Sequence, residues 1–239
     1  MKLHTTEYDD RLNKGLKHLQ NYPQLLPFIG CYWNDNRIGS QHKILFIGES
    51  HYLSGKKLNE IKNTTYKNDW YNNNSKRFNK ELADSIDTRG VVDRADWMVK
   101  GNIDKALSIF YNIKKELLNH LPYLSNEKQI FPFFSFYNYF QKPAFIKGAS
   151  IKNTQEDDAV VYKTLKFITL LIKPCKIIFL SSKACYSFYY EHSTDIKKDS
   201  FKNIIIDYVP HPGCAWWNKK ANAYGGRTGR GKFISLINN

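Results

Sequence analysis

Lys43-Ile44-Leu45-Phe46-Ile47-Gly48-Glu49-Ser50-His51-Tyr52 is the stretch whose reading decides the fold. A short continuous apolar run, Lys43 to Ile47, closed by Gly48 and followed at once by polar side chains is the pattern of a parallel strand buried on both faces. Working outward, Lys176 to Leu180 repeats the pattern, and Asn203 to Val209 reads as a further strand. The aromatic run Ile130 to Phe140 ends at Gln141-Lys142-Pro143.

Helical patterns fall between the strands. Ile103, Ala106, Leu107, Phe110, Ile113 and Leu117 recur at helical spacing over Asn102 to His120. Asp157 and Asp158 can cap a helix through Ile172 that stops at Pro174, and Ser181-Ser182 cap the helix beyond the next strand. A terminal helix starts at Gly231. Alternation of strands and helices predicts an α/β fold, a three-layer αβα sandwich over a central, mostly parallel four-stranded sheet. Residues 1–239 read as one domain. It has a helical N-terminal extension over 1–40 (Tyr8 to Gln20, then a Pro- and Trp-containing loop) and a polar, Asn- and Lys-rich insertion at 54–80.

Composition narrows the function classes. The chain has 239 residues, 42% hydrophobic and 15% aromatic, which excludes intrinsic disorder. No apolar run approaches the roughly 20 residues of a membrane span, and the start Met1-Lys2-Leu3-His4 has no secretory h-region. These features predict a cytoplasmic, intracellular monomer with no membrane partner. Cysteines at 31, 175, 185 and 214 form no close pair, so neither a metal nor another cofactor is expected; Cys175 and Cys185 read as buried thiols. Lys and Arg number 36 against 22 Asp and Glu, a net charge of +14. Such an excess suits a polyanion, DNA or RNA.

In α/β sheets ligands bind beyond the carboxyl ends of the strands. Four polar segments stand there: Gly48-Glu49-Ser50-His51-Tyr52, Tyr137-Asn138, Ser181-Ser182-Lys183 and His211-Pro212-Gly213. In this order they resemble the motifs of the uracil-DNA glycosylase superfamily over roughly Lys43 to the C-terminus. That family ends its first strand in Gly-x-[Asp/Asn/Ala]-Pro-[Tyr/Gly], carries an Asn on a middle strand, and closes with His-Pro-Ser/Gly near a wedge residue. Phe136-Tyr137-Asn138-Tyr139-Phe140-Gln141-Lys142-Pro143 and His211-Pro212-Gly213-Cys214-Ala215-Trp216-Trp217 are similar.

The resemblance implies a DNA glycosylase that flips a damaged or deaminated, uracil-type base and hydrolyses its N-glycosidic bond. His211 would stabilise charge on the departing base. Asn138 would read the base edge, with Gly48, Tyr52, Ser181 and Ser182 completing the substrate pocket. Ser50 stands where the family usually has Asp or Asn, so Glu49 is expected to supply the carboxylate that positions water. Trp216 and Trp217 would form the wedge, and Lys219, Arg227 and Arg230 would meet the DNA backbone. The stacking aromatic stays open among Phe78, Trp70, Trp97 and Phe140.

Two other readings stand beside this one. The segment Ile44 to Ser50 also resembles the nucleophile turn of GDSL/SGNH esterases, with Ser50, His211 and Asp207 as a triad and Asn138 as oxyanion donor. That family spaces acid and His by three residues; here the gap is four. A non-catalytic nucleic-acid-binding module would explain Ser50 and the basic surface together. The stretch Gly226 to Lys232 mimics a P-loop, but Phe233 replaces its Ser/Thr and no strand closely precedes it.

Overall fold

The computed structural model describes residues 2–16, 25–39, 42–52, 86–97, 107–144, 150–195 and 198–239. The 54–80 insertion, with Trp70 and Phe78, and the start of the helix expected from Asn102 lie outside the described residues. Elements follow as α1 (Asp9–Gly15), β1 (Phe28–Ile29), β2 (Ile44–Ser50), α2 (Thr88–Asp96), α3 (Ser108–His120), β3 (Ser135–Phe140), α4 (Gln155–Ile172), β4 (Lys176–Phe179), α5 (Ser182–Thr194), β5 (Ile205–Tyr208) and α6 (Gly229–Asn238). No helix among the described residues is long and apolar enough to cross a membrane.

The sheet has five strands in the order β1-β3-β2-β4-β5. From β3 to β5 all pairings are parallel, while β1 adds antiparallel to the edge through Phe28 opposite Phe136 and Ile29 opposite Ser135. The expected four-stranded sheet is therefore corrected to a five-stranded mixed one. The extra strand is two residues long and follows Pro27, too short to leave a periodic signal.

Successive side chains of a strand face opposite ways, and apolar clusters cover both faces of this sheet. Leu45, Ile47, Tyr137, Ile177 and Phe179 pack with Leu12, Leu165, Ile168 and Phe188 of α1, α4 and α5. Ile44, Phe46, Phe136 and Ile178 pack with Val92, Ile113, Leu117 and Phe233 of α2, α3 and α6. β2 continues past Gly48 to Ser50, two residues beyond its expected end, because Gly48 and Ser50 still pair with Asn138 and Phe140.

Local chemistry explains the helix ends. Thr154 caps α4 by accepting from Asp157 N, and Asp157 Oδ2 accepts from Thr154 N at 2.8 Å. The cap thus lies three residues before Asp157, the residue expected to provide it. Asp157 Oδ2 also accepts from Lys142 Nζ at 2.6 Å, a buried pair tying the end of β3 to the start of α4. Ser181 caps α5, and Thr228 caps α6, which starts at Gly229, two residues ahead of the expected Gly231. The helix α2 was not expected: Asp87 caps it by accepting from Gly90 N, and that glycine interrupts the apolar pattern. At its other end the buried Asp96 carboxylate accepts from Ile130 N and Phe131 N and pairs with Lys114 at 3.0 Å, fixing α2 beside α3.

Candidate functional site: a polar pocket at the strand ends

Gly48 and Asn138 share the face of the sheet that carries Phe46 and Phe136. Beyond the apolar cluster on that face, α2 and α3 enclose a cavity of about 410 Å³. Its floor is Gly48 to Tyr52 with Phe136 and Asn138; Thr88, Val91 and Arg94 of α2, Ile109 and Phe110 of α3, and His211 supply the walls. Ligand pockets commonly enclose roughly 300–1,000 Å³ of mostly apolar wall with a few aimed polar groups. Phe136 and Phe110 meet edge to face at 4.9 Å between ring centroids. These two rings form the aromatic wall that the sequence did not single out. Of the aromatics left open, Phe140 is buried in the cluster on the opposite face and Trp97 is 66% exposed.

Gly48 is required by close approach. A Cβ there would lie 2.3 Å from Asn138 Oδ1 and 2.9 Å from Phe136 Cζ. Gly48→Ala should therefore push the Asn138 amide off its position. A displacement of about 1 Å at a reacting site costs roughly 100-fold in rate, so turnover of whatever substrate the site takes should fall on that scale. Assay of the variant beside wild type checks this.

His211 leaves the sheet just after β5, where Val209 N still donates to Phe179 O. Asn112 Nδ2 of α3 donates to Pro212 O at 2.8 Å and anchors the turn. His211 Nδ1 accepts from Gly213 N at 3.0 Å, so its lone pair lies on Nδ1. Burial lowers the imidazole pKa, opposed in part by the charge of Glu49. The resulting species is a neutral ring with its proton on Nε2, free to donate. The ring of Tyr52 stands edge-on to it at 6.5 Å.

Glu49 points the other way, as strand alternation requires. Its Oε1 accepts from Ile151 N at 3.1 Å and its Oε2 from the Ser181 hydroxyl at 2.7 Å, both on elements of the opposite face. Ser50, which lines the pocket from the same turn, is 3% exposed and has an unpartnered hydroxyl. Glu49 also borders the cavity, with both carboxylate oxygens already engaged by Ile151 N and Ser181. Ser181 is used up by Glu49 and by capping α5, and Ser182 lines a separate groove with Lys183 and Tyr186. Neither lines the pocket.

Two groups near the strand ends were missed by the sequence reading. His51, 5% exposed, places Nδ1 3.3 Å from Asn138 Nδ2 and Nε2 3.3 Å from Gln141 Oε1. Gln141 Nε2 donates to Asn138 O at 2.5 Å. Burial drives the His51 pKa down to about 4. Burial also lowers the pKa of His42 and His211. With folded values below the ordinary 6.5, the unfolded chain takes up these protons first as the solution is acidified. Stability is therefore complete above about pH 6.5 and falls toward pH 4, with His51 alone accounting for about 3 kcal/mol. Denaturant unfolding across that range checks the slope.

The structure separates the proposed esterase triad. Asp207 Oδ1 accepts from Lys232 Nζ at 2.6 Å, while His211 Nδ1 is occupied by Gly213 N. Among the described residues no bond joins Asp207 to His211, or Ser50 to either. On the surface Trp216 is 52% exposed, whereas Trp217 is buried at 2% against Phe233, so of the two expected wedge residues only Trp216 is exposed. Lys219 and Arg227 are exposed beside a turn in which Gly225 and Gly226 hold positive φ of 64° and 73°. Arg230 differs from them: its Nε lies 2.8 Å from the buried Glu116 carboxylate and ties α6 to α3.

Among the described residues no three His, Cys, Asp or Glu side chains gather to hold a metal ion. No protein-family model, no curated protein and no solved structure matches the chain.

Proposed function

We propose that this chain is a DNA glycosylase-like hydrolase that receives a flipped, uracil-type base and breaks its N-glycosidic bond. One observation carries the reading: a reading amide (Asn138), a neutral Nε2–H donor (His211) and aromatic walls share one cavity at the carboxyl ends of parallel strands. Apolar clusters on both faces of the sheet accord with the three-layer sandwich that this reading entails.

The chemistry follows from the residue types. As the glycosidic bond lengthens, the base gains negative charge and the sugar positive charge. His211 lines the cavity with its ring fixed through Nδ1 by Gly213 N, so its Nε2–H is a preorganised donor that stabilises the base anion. Because His211 is neutral, it does not oppose the growing sugar cation. The Glu49 carboxylate, held by Ile151 N and Ser181, supplies fixed negative charge near that cation. A water that attacks the sugar can be bound by the unpartnered Ser50 hydroxyl.

Oligonucleotides carrying uracil, hypoxanthine, xanthine or mismatched thymine, incubated with the protein and then treated with alkali, test the proposal. Alkali-dependent cleavage at one of these bases supports it. Labelling of Ser50 by a fluorophosphonate together with aryl-ester turnover would favour the esterase instead. Salt-dependent DNA binding without cleavage would favour the non-catalytic module.

The DNA face has its own expected outcome. Lys219→Ala and Arg227→Ala should each reduce the slope of log K against log salt by about 1. Arg230→Ala should leave that slope unchanged and lower stability, since it strips the buried Glu116 of its nearest cation. Fluorescence anisotropy at several salt concentrations and thermal melts check both.

A further inference from the structure

His51 lies in the floor of the cavity and Gln141 behind it, and the polar atoms of the two side chains are engaged with each other and with Asn138. Each bond in this set has only one possible polarity. Gln141 Nε2 faces the Asn138 backbone carbonyl at 2.5 Å, and a carbonyl only accepts, so the amide nitrogen of Gln141 must be there. Gln141 Oε1 is then the atom that faces His51 Nε2 at 3.3 Å, and an amide oxygen only accepts, so Nε2 carries a proton. The ring is buried and neutral, which leaves a lone pair on Nδ1. Nδ1 must therefore accept, and the atom 3.3 Å from it is Asn138 Nδ2. Asn138 Oδ1 is consequently the atom that closes on Gly48.

We propose that His51 and Gln141 form a positioning relay that locks the Asn138 amide in one of its two orientations and so sets which hydrogen-bonding edge of a base the pocket accepts. The proposal rests on the reading of Asn138 as the base-recognition residue. It goes beyond that reading by assigning the selectivity to two residues that act on the base through Asn138. An Asn amide turned by 180° exchanges a donor for an acceptor with almost no change of shape. Uracil and cytosine differ in the same sense: N3–H and O4 in one become N3 and N4–H₂ in the other. An Asn free to turn would serve both bases, whereas a locked one pairs with one and leaves mismatched polar groups against the other.

Gln141→Glu is the informative change. A carboxylate there loses the bond to Asn138 O and, facing His51 Nε2, favours the imidazolium, whose Nδ1 then donates. The facing atom of Asn138 must become the oxygen, and the amide turns over. Gln141→Met removes both bonds without adding charge and frees the amide.

Two measurements on the full chain test the relay. Long-range ¹⁵N–¹H spectra at neutral pH should show His51 as the neutral Nε2–H tautomer in wild type and as the imidazolium in Gln141→Glu. Calorimetry with 2′-deoxyuridine and 2′-deoxycytidine should show wild type preferring deoxyuridine by roughly tenfold or more. Gln141→Glu should move that ratio toward deoxycytidine by a comparable factor, and Gln141→Met should bring it near one. An Nδ1–H tautomer in wild type, equal or absent binding of the two nucleosides, or an unchanged ratio in Gln141→Glu would overturn the relay. Nucleoside selectivity that follows this pattern without base release from any oligonucleotide would uphold the relay and remove the glycosylase reading.

Discussion

Replacing His211 by alanine is expected to slow base release by about 100- to 1,000-fold, the scale on which a preorganised donor to a developing anion acts. The expectation follows from tautomer and position together. Gly213 N holds the Nδ1 lone pair, so the proton lies on Nε2, and the ring lines the cavity beside Asn138. Burial keeps the imidazole neutral at physiological pH, so the donor is available across that range. His211→Gln retains an N–H donor of similar reach and should restore part of the rate. Single-turnover kinetics separates this effect from binding: a donor used mainly in the transition state changes the chemical step and leaves DNA affinity nearly intact. Because His211 sits in a loop and makes one bond to its own turn, thermal stability should change little. A large loss of stability in His211→Ala would instead make it a structural residue.

The second large effect divides two adjacent tryptophans. Trp217→Ala is expected to cost about 3–5 kcal/mol of stability, as truncation of a buried aromatic does. Its ring packs 5.5 Å from that of Phe233 in the apolar cluster that also holds Phe46 and Val209. Trp216→Ala should leave stability within about 0.5 kcal/mol, because that side chain is half exposed. Its effect should appear in DNA binding, where loss of a base-stacking ring costs about 1–3 kcal/mol. Both belong to the short 3₁₀ turn Ala215–Trp217, which leaves Trp216 exposed and buries Trp217. Denaturant melts of both variants, paired with anisotropy on single- and double-stranded DNA, check the division. Equal stability losses in both variants would contradict it.

What the sequence made legible tracks the physics of burial. The runs Ile44 to Ile47 and Lys176 to Phe179 are buried on both faces, so they read as strands without any alternation to interpret. β1 escaped notice because two residues carry no period, and α2 because Gly90 and a charged face mask its apolar side. At the site, all four polar strand-end segments were visible as sequence, and three of them reach the pocket; Ser181-Ser182-Lys183 does not. Strand alternation run past Gly48 would have sent Glu49 to the face opposite Phe46. The pairing of His51 with Gln141 spans 90 residues and follows no periodicity; only the fold brings the two together. Arg230 and Trp217 illustrate the same limit at the surface. A basic or aromatic residue in a Gly-rich stretch looks exposed until its partner, Glu116 or Phe233, is seen.

The measurement that bears most directly on the whole account is chromatographic detection of the free base after incubation with a uracil-containing oligonucleotide. The account predicts uracil released in equal number to abasic sites, lost in His211→Ala and Asn138→Ala. Intact oligonucleotide with no free base from uracil, hypoxanthine, xanthine or mismatched thymine would contradict it.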